Sequence, residues 1–136
     1  MAHWLLKTEP SDYSFADLRR DKRTRWGGIT NAQALIHLRQ MAKGDEVLIY
    51  HTGAEKALVG RATVVTAAYP DPEQADAKRV VVDIAAGEAL PAPVSLAAIK
   101  ADGAFAELGL VRNGRLSVVP VPPAMWRRLE VMARRG

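Results

Sequence analysis

The chain has 136 residues, 49% of them hydrophobic, which suits one core and one domain spanning residues 1–136. A formal charge of +4 with a pI near 9.7 is compatible with an anionic partner and does not demand one. Cysteine is absent, which excludes disulfides, thiolate zinc sites and cysteine nucleophiles. No apolar run is long enough for a membrane span, and the N-terminus lacks the pattern of a secretory signal. The expectation is a cytoplasmic monomer with no membrane partner.

The first predicted element is a strand over His3 to Lys7. It runs into TEPSDYS, where Pro10 ends regular pairing. A surface turn needs the Pro, Ser and Asp. It does not need Lys7, Glu9 and Tyr13 as well, so the loop is either a decorated turn or part of a site. Ser14 is placed as a helix N-cap, with Asp17 completing an approximate capping box and Arg19-Arg20 near the helix end. Arg19, Arg20, Lys22, Arg23 and Arg25 put five basic residues in seven directly before Trp26. That segment is a solvated surface or a backbone-phosphate contact.

A longer helix starts at Thr30 or Asn31 and runs to Met41 or Ala42, with Ala34, Leu35, Leu38, Met41 and Ala42 as its apolar stripe. Extending the stripe backward by one turn predicts an inward Asn31. Such an amide either ties down a loop or lines a pocket. Glu46 to His51, Leu58 to Ala68 and Arg79 to Ala86 follow as strands, the last two separated by an acidic loop with Asp71, Glu73 and Asp76. Val94-Ser95-Leu96 leads into a short helix. Ser117 to Val121 is a further strand, with Arg115 and Ser117 on one face and Leu116 and Val118 on the other. Pro122 and Pro123 open a terminal helix with Met125, Trp126, Leu129 and Met132, ending in the basic group Arg127, Arg128, Arg134 and Arg135. Without a βαβ alternation, a small curved sheet or partial barrel with peripheral helices fits best.

Among these residues Trp26 stands out, because Gly27 and Gly28 remove side chains beside the indole. A flat ligand then has access to the ring, although a tryptophan packed in the core with a glycine hinge gives the same pattern. Trp26 and Asn31 together supply a stacking surface and a hydrogen-bonding wall, the minimum for holding an unstacked base. His51 is a base, a base-edge donor or a plain strand-end histidine. There is no phosphate loop, Rossmann glycine pattern or nucleophile elbow. His3, His37 and His51 lack metal spacing, and a Ser14 or Ser117, His51 and Asp45 set is only a weak match to a triad. No cofactor and no metal are expected.

The runs WLLKTEPSDYSF, WGGITN, LRQMAKGDEVLIYHT, VGRATVVTAAYPD and RLSVVPV, in this order along nearly the whole chain, resemble the EVE domain family. The resemblance implies an α+β, PUA-like pseudo-β-barrel with flanking short helices, related to YTH and ASCH domains. It implies that Lys7, Tyr13 and Ser14 lie on or beside the mouth of a base pocket. Trp26 and Asn31 match the aromatic wall and amide of the family's WxGVRN run, and His51, Thr52, Leu116 and Ser117 match the far wall. The chain departs from the pattern at Ile29-Thr30, where an arginine is usual after valine, and at Ala32, where an aromatic is usual. Many relatives have a tryptophan where this chain has Arg79-Val80. The implied function is a nucleic-acid-binding module, not an enzyme, that reads a modified base, most notably modified cytosine in DNA, with Arg19 to Arg25 on the flanking phosphates. The alternatives are a hydrolase on a modified nucleoside, with His51 or Lys7 as general base, and an RNA-binding accessory module.

Overall fold

Six strands make up one sheet: β1 (His3–Thr8), β2 (Arg23–Trp26), β3 (Glu46–His51), β4 (Ala57–Pro70), β5 (Val80–Ser95) and β6 (Val118–Pro120). Their order across the sheet is β2-β5-β4-β3-β1-β6. The structure is a computed structural model and describes residues 1–135. Neighbours in the sheet pair antiparallel except β1 and β3, which are parallel. The helices are α1 (Phe15–Asp21), α2 (Ala32–Gln40), α3 (Leu96–Ala101), α4 (Gly109–Arg112) and α5 (Pro123–Arg135). None of the described helices is long and apolar enough to cross a membrane.

Most elements form where the sequence places them, and the differences have local causes. β2 is a strand that the basic run conceals. Its four residues alternate, with Arg23 and Arg25 outward and Trp26 buried, and they pair with β5 at a sheet edge. β5 extends nine residues beyond Ala86, to Ser95, through a Gly87–Pro93 stretch poor in strand formers. Its pairing with β4 shifts register at several points, which is how long hairpin strands bend. α2 stops at Gln40, and Ala42 lies exposed outside it.

α2 packs on β4, β5 and β6, so it touches strands near both ends of the sheet. Its Ala34, Leu35 and Leu38 join a core with Trp4, Leu5, Leu6, Val47, Leu48 and Ile49. β1 and β3 are buried on both faces. The sheet therefore curls around the helix and brings its two edges, β2 and β6, toward one another.

Two anchors hold the parts that matter here. Phe15, the first residue of α1, lies against Gly60 of β4 so closely that a Cβ there would overlap its ring. Its backbone N–H donates to His51 Nε2 at 3.0 Å, and His51 Nδ1 meets Glu55 Oε1 at 2.7 Å. At the other end Asp45, 4% exposed, accepts from the N–H groups of Ala2 and Ala42 and from the Trp4 indole.

Candidate nucleic-acid interface

Where the two sheet edges approach, they leave a cleft of about 510 Å³. One wall is the β1 exit, from Lys7 to Asp12 and Tyr13. The opposite wall is β2 and the loop after it, from Thr24 through Trp26 to Asn31. Arg115 and Ser117, ahead of β6, close one end. The backbone of Lys7 donates to the Ser117 carbonyl at 3.0 Å, which fixes the last segment to the first.

Trp26 forms the floor. It is 8% exposed, so most of its indole belongs to the core and a limited surface faces the cleft. The Tyr13 ring stands nearly edge-on to it, with centroids 6.2 Å apart and planes at 77°. This arrangement suits paired aromatic quadrupoles. The Tyr13 hydroxyl donates to Asp21 at 2.8 Å, tying the ring to α1. Beside the indole, Gly27 is required by packing, since a Cβ there would meet Val81 Cγ1 at 2.6 Å. Gly28 is required by backbone, with φ of +72° and open space around it.

Asn31 is exposed at the cleft rim, which corrects the inward orientation expected from the helical stripe. It is the N-cap of α2, and its Oδ1 accepts from the Ala34 N–H at 2.9 Å. The cap residue has non-helical torsions, so the phase of the helix does not extend to it. Its Nδ2 has no hydrogen-bond partner among the described residues. Asn31→Ala should lower unfolding stability by about 1 kcal/mol, whereas Asn31→Ser, which keeps a capping oxygen, should change it by a few tenths. Urea denaturation of both variants checks this.

Cations surround the cleft unevenly. Lys7 is half-buried, and burial lowers the pKa of its ammonium, which donates to the Gly114 carbonyl at 2.9 Å. Arg25 reaches the cleft from β2. A hydrogen bond to Tyr69 is the main cause that raises its pKa, with Glu73 3.8 Å away. Tyr69 in turn donates to Asp83, the residue opposite Arg25 in the sheet. Arg20 is held by Asp17 and Asp21. Arg19, Lys22 and Arg23 are exposed and have no ion pair among the described residues.

Four residues expected at the pocket, Ser14 at its mouth and His51, Thr52 and Leu116 in its far wall, lie elsewhere. Ser14 caps α1, donating nothing to the cleft, and forms a reciprocal capping box with Asp17. His51 does not line the cleft. Its Nε2 receives the Phe15 N–H, which leaves its proton on Nδ1 facing Glu55. With Asp45 spent on Ala2, Trp4 and Ala42, no Ser–His–Asp set exists among the described residues. Thr52 lies beyond β1, in a separate trough, and Leu116 is buried toward the opposite face from Ser117. The cleft instead includes Glu9, Asp12, Thr24 and Arg115. Strand alternation puts Arg115 on the face of Ser117, and Glu9 belongs to the polar loop already marked out after β1; Asp12 and Thr24 carry no signal of their own. Among the described residues no cluster of His, Asp and Glu could hold a metal ion.

The EVE domain model matches residues 2–132. The chain belongs to the EVE domain family. Thymocyte nuclear protein 1 of Gallus gallus is 38% identical over 88 residues, 56% of this chain and 36% of the chicken protein. The match thus spans little more than a third of that relative. A Rhodopseudomonas palustris protein solved by NMR is 38% identical, with a TM-score of 0.93 over 98% of this EVE domain and 93% of that chain. Human THYN1, solved in complex with DNA containing 5-methylcytosine, shares the fold at a TM-score of 0.91 and 24% identity, over 100% and 99% of the two chains. The fold is PUA-like, as the resemblance implied.

Proposed function

We propose that this EVE domain is a DNA-binding module that takes one flipped, modified base, a modified cytosine, into the cleft between β2 and β1. The observation that carries this reading is the joint placement of Trp26, Tyr13 and the unspent Asn31 Nδ2 on one cleft. Human THYN1, which has this fold, is solved with 5-methylcytosine DNA, and that supports the choice of partner. The base rests on the Trp26 floor with the Tyr13 edge beside it. Asn31 Nδ2 donates to an acceptor on the base edge. A 5-substituent on cytosine adds apolar contact and leaves the pairing edge free. Unstacking costs a few kcal/mol, so an intact, unmodified base is resisted.

Backbone contact falls to the exposed basic segment. Neutralising Arg19, Lys22 and Arg23 to glutamine should weaken binding to every sequence alike and flatten its salt dependence. The slope should fall by about 0.7–0.9 for each phosphate that is no longer neutralised. An unchanged salt slope would remove the segment from the interface. The base-reading part is tested by Asn31→Ser. It should keep stability and lower the preference for a duplex with one 5-methylcytosine over its unmodified twin. An undiminished preference would take Asn31 out of the recognition. Of the two general-base candidates for a hydrolase, His51 has both ring nitrogens committed outside the cleft, while Lys7 lines it with its ammonium bonded to the Gly114 carbonyl. Mass spectrometry of modified nucleosides after incubation should return them unchanged; products would favour the hydrolase. Binding to modified RNA but not to DNA would favour the RNA-binding alternative.

A further inference from the structure

A second concavity, of about 210 Å³, lies immediately beyond Lys7, on the far side of β1 from β2. β1 and β3 pair in parallel with Lys7 opposite Tyr50, so the step from the base cleft to this trough is one strand wide. Lys7 borders both. The trough is rimmed by Lys7, Lys56 and Lys100; no carboxylate is among its lining residues, and that of Glu9 lies at its edge, against Gly53. None of the three ammonium groups has an ion pair among the described residues. Arg20, Arg25, Arg61, Arg112 and Arg128 each sit against a carboxylate, whereas these three lysines, like Arg19, Lys22 and Arg23, do not; what sets the three apart is that they share one hollow. Three like charges around one hollow repel each other, and an anion between them offsets that repulsion. Its walls are apolar or already bonded: Tyr50 is 3% exposed, and the Thr52 hydroxyl donates to the Thr8 carbonyl at 3.4 Å. No flat aromatic face opens into it for a second base.

A base swung into the cleft leaves phosphates on both sides of its sugar. In the reading above, the exposed Arg19, Lys22 and Arg23 meet the phosphates on the β2 side. We infer that the Lys7–Lys56–Lys100 trough holds the backbone phosphates on the other side of the flipped nucleotide, so that the DNA strand crosses the β1 exit from β2 toward β3. This rests on the base-cleft reading above. It also gives Thr52 a place in the interface, as a neighbour of the phosphate lane.

The test compares the full chain with Lys56→Gln/Lys100→Gln, and with Lys43→Gln/Arg134→Gln as a control of equal charge loss. Affinities for a labelled duplex with one 5-methylcytosine, and for its unmodified twin, are measured across a salt series. The trough variant should lose about 1.4–1.8 from the slope of log affinity against log salt, which corresponds to two phosphates. It should weaken both duplexes by the same factor and keep their ratio. Lys56→Arg/Lys100→Arg should restore the slope. A slope unchanged in the glutamine variant, or reduced equally in the control, overturns the phosphate lane while leaving base reading intact. A wild-type chain with no preference between the duplexes overturns base reading, and the slope still decides the trough. If the chain does not bind DNA, both fall.

Discussion

Trp26→Leu should lower affinity for a duplex with one modified cytosine by about 1–3 kcal/mol, roughly ten- to a hundredfold. It should also narrow the preference over the unmodified duplex, because nothing else in the cleft offers a comparable surface to hold a base out of the stack. Leucine is the informative replacement. Trp26 is 8% exposed and shares the core with Val82 and Ile84, so truncation to alanine should cost about 3–5 kcal/mol in folding and confuse the reading. Leucine keeps apolar volume and removes the flat face. Fluorescence anisotropy on both duplexes gives the affinities, and circular dichroism shows whether the variant is folded. A folded Trp26→Leu with wild-type affinity and preference would show that the indole takes no part in recognition.

A large effect on stability is also expected far from the cleft, at Asp45. Asp45→Ala should destabilise the fold by about 3 kcal/mol, since it strands the Trp4 indole N–H and two backbone N–H groups in a buried site. Burial acts to raise the Asp45 pKa, but the Ala42, Trp4 and Ala2 hydrogen bonds and the N-terminal ammonium outweigh it, and the net shift is downward. A carboxyl whose pKa is lower folded than unfolded stabilises the protein fully above its unfolded value, about 3.9. That contribution is lost as the pH falls through the folded value. Wild-type stability should therefore drop on the acid side of pH 4, and Asp45→Asn should show a shallower drop from a lower start. Denaturation at a series of pH values checks both. Equal acid slopes in wild type and Asp45→Asn would mean that other carboxylates carry the dependence.

The pattern of apolar residues makes most of the frame legible, because β1 and β3 are near-continuous apolar runs and α2 and α5 carry apolar sets at the helical period. β2 is hidden since three of its four residues are polar, Arg23, Thr24 and Arg25, and only pairing with β5 makes it a strand. The far half of β5 is hidden because Pro91 and Pro93 argue against a strand, and the hairpin partner decides otherwise. In the site, Trp26 beside its glycines and the KTEP loop are visible as chemistry without a partner. Asn31 is misdirected because capping obeys turn geometry rather than helix phase. His51 is ambiguous because β3 is buried on both faces, so alternation does not say which way the ring points. Asp12 and Thr24 enter the cleft through the approach of the two sheet edges, which no local pattern encodes.

The most direct measurement of the base-cleft claim is an NMR titration of the nitrogen-15-labelled chain with a duplex carrying one 5-methylcytosine. The three tryptophan indoles report from different places: Trp4 is bonded to Asp45, Trp126 packs on His3, and Trp26 floors the cleft. The Trp26 indole and the backbone signals of Lys7, Tyr13, Gly28 and Asn31 should shift with the modified duplex and less with its unmodified twin, while the Trp4 and Trp126 indoles stay in place. Shifts centred on Trp4 or Trp126, or identical shifts with the two duplexes, would contradict it.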